Sequence, residues 1–184
     1  MNGWRGAITG LMGWLLIGAA EPASALEVDL ELVLAVDVSG SIERDEAELQ
    51  RQGFIQAFQN EAVIRAITGG EHKRIAVTYI EWAGVNHQRL GVDWRVIDSP
   101  AAAHDFADEL AIMPFTSALW TSISGAIELG MERLRASPHR SKRQVIDISG
   151  DGPNNHGMPI LTARGRAAEQ GVGINGLVIL NFDP

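Results

Sequence analysis

Residues 30–41 read LELVLAVDVSGS, an apolar run that ends in one carboxylate and two hydroxyls. A continuous apolar run of this kind is typical of a β-strand that is covered on both faces. Asp37, Ser39 and Ser41 occupy alternate positions where the strand gives way to a loop, so their side chains can turn toward one point. Because oxygen ligands suit Mg2+, Mn2+ or Ca2+ and disfavour zinc or copper, the stretch predicts a site for a hard cation. The alternative is an ordinary turn in which Asp37 caps a helix that starts near Glu43.

Two further segments complete a three-part pattern. A threonine opens a helix-like stretch near the middle of the chain, and an aspartate lies between two glycines directly after a second apolar run. The three motifs resemble the metal-ion-dependent adhesion site (MIDAS) of the von Willebrand factor A (vWA) family, whose ligands come from three separate loops in this order. The matching residues are Asp37, Ser39, Ser41, Thr121 and Asp151.

This resemblance covers about residues 30–180, nearly the whole chain after its leader. Residues 79–82 and 147–152 further resemble an uncharacterised bacterial secreted branch of the vWA family. Trp120 stands where many relatives have glycine, so the geometry of this loop is open, and Thr116 and Ser117 are alternative hydroxyls.

The resemblance implies metal-dependent protein binding and no enzymatic activity. Two carboxylates and three neutral hydroxyls leave Mg2+, or Mn2+ or Ca2+, with residual positive charge. Domains of this family use that charge to accept a carboxylate from an Asp or Glu of a protein partner.

Two alternatives stay open. The first is a metal-dependent hydrolase or phosphatase that uses Asp37 as nucleophile or metal ligand. Phosphatases of that kind need a second acid two residues later, where this chain has Ser39, and no G-x-S-x-G motif offers another route. The second alternative is a scaffold with a vestigial site that acts only through surface contacts.

The first 25 residues are typical of an export signal. Arg5 supplies a positive charge, an apolar run follows, and Ala23-Ser-Ala25 forms a small-x-small cleavage site. The run is shorter than the roughly 20 residues that a membrane-spanning helix needs. We therefore predict a signal peptide over residues 1–25, one vWA-like domain over residues 26–184, a periplasmic or secreted location and no stable membrane insertion.

Composition narrows the classes of partner. The formal net charge is −8, and nucleic acids and anionic lipids require basic surfaces, so neither is expected as a partner. The chain contains no cysteine, so packing, helped by a bound ion, must stabilise an exported protein that has no disulfides.

Alternating periodicities predict an α/β fold. The order is strand, helix, strand, strand, helix, helix, strand, helix, strand, which favours a Rossmann-like, doubly wound, mostly parallel sheet. Gln88–Ile97 alternates apolar and polar residues, which indicates an antiparallel edge strand with one wet face. If the first strand is central, Asp37 and Asp151 both lie at the topological switch point, where open sheets bind ligands. Asp147 would either orient the site loops or be a buried residue bonded to a neighbouring backbone group or hydroxyl. Up to Pro184, we expect the sheet to lack the last strand and helix that vWA relatives add.

Overall fold

The computed structural model describes residues 25–179, so the predicted signal peptide lies outside the described residues except for Ala25. Within this range the elements follow in chain order as β1 (Leu26–Glu27), β2 (Glu31–Asp37), α1 (Arg44–Gln59), α2 (Glu61–Thr68), β3 (Ile75–Trp82), β4 (Gln88–Ile97), α3 (Pro100–Ala111), α4 (Ile123–Arg135), β5 (His139–Arg140), β6 (Gln144–Gly150), α5 (Ile160–Glu169) and β7 (Gly173–Val178).

The main sheet contains five strands in the order β4-β3-β2-β6-β7. Neighbouring strands are parallel except for β3 and β4, which are antiparallel. The predicted α/β class and the antiparallel edge strand are therefore confirmed. The first strand that the sequence predicts corresponds to β2, and its predicted central position is also confirmed. β1 and β5 form a separate parallel pair that sequence reasoning missed, because strands of two residues carry no periodicity.

The register of the sheet brings the ends of three strands together. Asp37 at the end of β2 is paired with Trp82 at the end of β3, and Val36 is paired with Ser149 near the end of β6. Since parallel strands end at the same edge of a sheet, the loops that follow β2, β3 and β6 are neighbours. The predicted switch point is present at this edge.

Helices cover both faces of the sheet. α1, α2 and α3 pack on one face around Phe58 and Phe106, and α4 and α5 pack on the other around Ile127 and Ile146. Burial from both sides explains why β2 is apolar almost throughout its length. None of the helices within residues 25–179 combines the length and the apolar character that a membrane span requires.

Side-chain caps set the starts of helices α2 and α4. Asn60 separates α1 from α2, because its Oδ1 accepts a hydrogen bond from the Ala62 N–H at 2.8 Å and caps α2. The Ser122 Oγ accepts a hydrogen bond from the Gly125 N–H at 3.1 Å and caps α4. Helix α4 thus begins at Ile123, slightly later than the sequence predicts, which leaves Thr121 in the preceding loop.

β7 forms the outer edge of the sheet in the described part of the chain. Its Leu177 and Val178 are 59% and 68% exposed. Asp147 on β6 accepts a hydrogen bond from the Asn175 Nδ2 at 2.6 Å, which joins β6 to β7. The partner is a side-chain amide on the neighbouring strand, so this contact is neither an orientation of the site loops nor the bond to a backbone group or hydroxyl that the sequence suggested.

Helix α4 approaches the sheet closely at Gly130, which gives a test of the packing. A Cβ atom at Gly130 would lie 2.7 Å from Cδ1 and 3.1 Å from Cγ1 of Ile146. We expect Gly130→Leu to lower the free energy of unfolding by about 2 kcal/mol or more through overpacking, measured by urea denaturation. Gly165→Leu on α5 is the matched control, because nothing lies within 4 Å of a Cβ atom there. Equal losses in the two variants would contradict this packing.

Candidate metal centre

The predicted ligands meet at the edge where β2, β3 and β6 end. Asp37 is the last residue of β2, and the Val38 N–H donates a hydrogen bond to the Trp82 carbonyl at 2.8 Å. This bond holds the residue after Asp37 against the end of β3. Ser39 and Ser41 follow in the loop after β2, and Asp151 follows directly after β6.

Asp37 is fully buried, and only one of its oxygens has a hydrogen-bond partner of standard geometry among the described residues. Its Oδ1 accepts a hydrogen bond from the Ser39 N–H at 2.7 Å, whereas its Oδ2 has no partner of standard geometry. The Ser39 hydroxyl and the Asp151 backbone also stabilise the charged carboxylate. A Cβ atom at Gly150 would lie 2.8 Å from that Oδ2, so glycine is required beside the carboxylate. A buried carboxylate oxygen in this state is costly unless a cation or a donor reaches it.

Hydrogen bonds connect the other ligands into a chain. The hydroxyls of Ser39 and Ser41 lie 3.1 Å apart, and the Ser41 Oγ donates to the Asp151 Oδ1 at 2.9 Å. Ser39 is buried and Ser41 is exposed, so the chain runs from the buried Asp37 to the surface. Four of the five predicted ligands therefore form one cluster.

Thr121 reaches the same place from a third loop. The Ala118 N–H donates to the Val38 carbonyl at 3.0 Å, which fastens this loop beside the end of β2. Thr121 is buried, and its Oγ1 would lie 4.0 Å from a Cβ atom at Gly152, next to Asp151. The structure thus brings the predicted Thr121 next to the Asp151 loop.

Two asparagines that sequence reasoning missed hold the Thr121 loop. The Asn155 Oδ1 accepts a hydrogen bond from the Thr121 N–H at 2.8 Å, and the Asn154 Oδ1 accepts one from the Ser124 N–H at 3.0 Å. Both asparagines follow the glycine-rich turn after β6. The adjacent pair after that turn was the available signal, because asparagine side chains commonly bond to loop backbone.

The alternative hydroxyl of Thr116 is engaged elsewhere. Its Oγ1 donates to the Glu81 Oε2 at 2.7 Å. Glu81 is fully buried at the end of β3 and also pairs with Arg89 at 2.5 Å and with Arg51 at 3.7 Å. Arg51 in turn donates to the Met113 carbonyl at 2.5 Å. This ion-pair network, which the sequence did not reveal, holds the loop between α3 and α4. Thr121 is a buried residue of the same loop, and its hydroxyl lies near the site.

The electrostatics of the cluster favour a bound cation. Burial raises the pKa of Asp37, the nearby charge of Asp151 raises it further, and hydrogen bonds from Ser39 and from the Asp151 backbone lower it in part. The net result is a pKa of about 6 instead of the ordinary 3.8. A divalent cation would offset both the burial and the repulsion.

The residues present fit a hard cation. Among residues 25–179 no group of three or more His, Cys, Asp or Glu side chains is arranged to hold a metal. An ion at this cluster would therefore take its ligands from two carboxylates, hydroxyls and water. That donor set matches Mg2+, Mn2+ or Ca2+ better than a softer metal.

Comparisons with known proteins give a family and a fold. The profile of the family described as "Protein of unknown function (DUF1194)" matches residues 27–184. No curated protein sequence is significantly similar to the chain.

Several solved structures are similar. Proximal thread matrix protein 1 from the mussel byssus, in a structure with a zinc-occupied MIDAS motif, has 14% identity and a TM-score of 0.64 over 86% of this chain and 40% of that chain. The pilus adhesin SpaC from Lactobacillus rhamnosus GG has 15% identity and a TM-score of 0.58 over 82% of this chain and 24% of its own. The chain thus spans less than half the length of these proteins. It has the vWA fold, as its motifs predict.

The raised pKa of Asp37 predicts a pH dependence of the metal-free protein. Since the pKa is about 6 in the folded state and near 3.8 ordinarily, the folded protein holds a proton that the unfolded chain has lost. The free energy of unfolding should therefore fall as pH rises from 4 to 7, by at most about 3 kcal/mol from this group.

Asp37→Asn removes this titration and isolates its effect. In EDTA, the stability of Asp37→Asn relative to the wild type should increase from pH 4 to pH 7, as measured by chemical denaturation. A difference that stays constant with pH would show that Asp37 does not carry a raised pKa.

Proposed function

The chain belongs to the family described as "Protein of unknown function (DUF1194)", a description that names no activity, so we propose its function from the site itself. We propose an exported, metal-dependent protein-binding module of the adhesion type. An ion held by Asp37, Ser39, Ser41, Thr121 and Asp151 would bind a carboxylate of a protein partner.

One observation carries this proposal: the Oδ2 of the buried Asp37 has no hydrogen-bond partner of standard geometry in the described chain. The oxygen lies at the switch point of the sheet, within a cluster of oxygen donors from three loops. Hydrogen bonds from Ser39 and from the Asp151 backbone offset the cost of burying this carboxylate only in part, since its pKa stays raised. A divalent cation would offset the rest.

The composition of the cluster supports a role in binding. Two carboxylates bring two negative charges, and the hydroxyls of Ser39, Ser41 and Thr121 bring none, so a divalent ion would keep an exchangeable water position. An acidic side chain from a partner could replace that water. We favour Mg2+ or Mn2+ because the donors are oxygens, although the related byssus structure holds zinc in its MIDAS motif.

The similar structures support an extracellular setting. They include a matrix protein of the mussel byssus and a pilus adhesin, both at low identity. The family match begins at residue 27, directly after the predicted cleavage site at Ala25. We therefore retain export, with residues 1–25 as signal peptide, as part of the proposal.

Calorimetric titration with Mg2+ and Mn2+ tests the metal site. We expect the wild type to bind one ion and Asp37→Ala and Asp37→Asn to lose binding, because each variant removes the buried carboxylate. Below about pH 6 the affinity of the wild type should fall, since a proton then competes for Asp37.

Asp98→Asn is the matched control for this titration. Asp98 is exposed and follows β4 next to Ile97, which is paired with Ile75 at the start of β3, at the opposite edge of the sheet. The control should bind metal like the wild type. Unchanged affinity in both Asp37 variants would overturn the site assignment.

Selection from random peptides displayed on phage tests the carboxylate acceptor. Peptides captured in Mg2+ and released by EDTA should contain Asp or Glu, and immobilised Asp37→Asn should capture none of them.

Because the chain carries a net charge of −8, association with an acidic peptide should speed up as salt screens the repulsion. Capture that persists in EDTA would favour the scaffold alternative, and turnover of phosphate or ester substrates that needs Asp37 would favour the hydrolase.

A further inference from the structure

Trp120 adopts a backbone conformation that a bulky residue rarely takes. Its φ is +72°, and among residues 25–179 the other non-glycine residue with positive φ is Lys73. For a non-glycine residue this left-handed conformation costs about 1–2 kcal/mol. Trp120 directly precedes the candidate ligand Thr121, at the position where many vWA sequences carry glycine.

The neighbouring backbone enforces this conformation. The Leu119 carbonyl accepts a hydrogen bond from the Gly84 N–H at 3.1 Å, and the Thr121 N–H donates to the Asn155 Oδ1 at 2.8 Å. The chain is therefore fixed on both sides of Trp120. Glycine would adopt the same backbone geometry without strain. The indole of Trp120 must therefore have a role that offsets the free-energy cost of this conformation.

The indole of Trp120 does not contribute core packing. The residue is 60% exposed, and its ring lies against the imidazole of His156 with centroids 5.6 Å apart. The His156 Nδ1 accepts a hydrogen bond from the Val85 N–H at 3.2 Å, which fixes the imidazole beside the indole. The ring is thus supported from one side and open to solvent on the other.

Leu119 extends this apolar surface to the ligand loop. It is 75% exposed, and its Cδ2 would lie 3.9 Å from a Cβ atom at Gly40, between Ser39 and Ser41. Val85 is 40% exposed, and its Cγ1 would lie 2.8 Å from a Cβ atom at Gly157, the residue after His156. We call Val85, Leu119, Trp120 and His156 the rim patch.

We propose that the rim patch binds a large apolar or aromatic side chain next to the acidic residue that the ion captures. This inference rests on the proposed function and specifies its partner: a protein segment with one carboxylate in an apolar setting. Apart from His156, the rim patch consists of apolar side chains beside an ion that would exchange a bound water for one carboxylate, whereas the chain as a whole carries a net charge of −8. A run of acidic residues would be repelled by that wider field, but a single acid flanked by apolar side chains matches both features.

Synthetic peptides of the form acetyl-Gly-Xaa-Asp-Zaa-Gly-amide test this partner chemistry, with Xaa and Zaa drawn from Ser, Lys, Leu and Phe. In Mg2+, peptides with Leu or Phe beside the Asp should bind the wild type about tenfold more tightly than the Ser-Asp-Ser peptide, as expected for burying one large apolar side chain. Trp120→Ala and Leu119→Ala should reduce this ratio to about twofold or less. Both variants should keep the Mg2+ affinity of the wild type and the affinity for Ser-Asp-Ser.

Leu49→Ala is the matched control, because Leu49 is 74% exposed on α1 and lines a separate groove beside Leu177. It should keep the preference for Leu and Phe.

Comparison of Trp120→Gly with Trp120→Ala separates strain from packing. Both should lose the preference, and the glycine variant should have the higher thermal denaturation midpoint because it relieves the left-handed conformation.

The outcomes distinguish this inference from the function on which it rests. If no peptide binds in a Mg2+-dependent manner, the proposed function fails and the inference with it. If peptides bind through their Asp but without preference for Leu or Phe, or if the preference survives in Trp120→Ala, only the role of the rim patch is overturned. A large drop of the denaturation midpoint in Trp120→Ala would assign the indole to packing and also overturn it.

Discussion

Burial of one carboxylate at the end of the central strand is the constraint on which the site depends. Asp37 lies where β2 leaves the core, and its charge is shielded from water by the strands on both sides. Burying a charge in this way is unfavourable unless it is compensated, which the raised pKa reflects. Glycine at position 150 and the donors from the following turn are local adaptations to that carboxylate.

The loops around Asp37 are held by contacts that do not involve an ion. Backbone hydrogen bonds fasten Ala118 to Val38 and Ser122 to Ala83, and the Glu81 network fastens the preceding segment through Thr116. A site that is built before the ion arrives need not spend binding free energy on ordering its loops. The same rigidity explains how Trp120 can be kept in an unfavourable backbone conformation at the surface.

The site therefore combines two surfaces with different physical character. The inner part is made of oxygens whose charges are only partly balanced, and the outer rim is apolar and exposed. Proteins of unrelated activity share the vWA fold, so the fold alone does not define what this chain binds. In the function that we propose, the exposed side chains at positions 119 and 120, which lie beyond the predicted ligands, would give this chain its own specificity.

The sequence by itself determined the features that depend on local patterns. The apolar run before Asp37 predicted the central strand, and the alternation in residues 88–97 predicted the antiparallel edge. Connection rules then placed the ends of β2 and β6 side by side. These features follow from periodicity, capping and chain connectivity, which act over short distances along the chain.

Only the tertiary structure decided which polar groups are partners. Thr116 bonds to Glu81 rather than to the ligand cluster, Asp147 bonds to Asn175, and Asn155 holds the Thr121 loop. Each of these side chains has several chemically acceptable partners, and the choice depends on strand register and on the path of loops distant in sequence. The burial that raises the pKa of Asp37 likewise results from elements remote along the chain, so no local pattern could have given it.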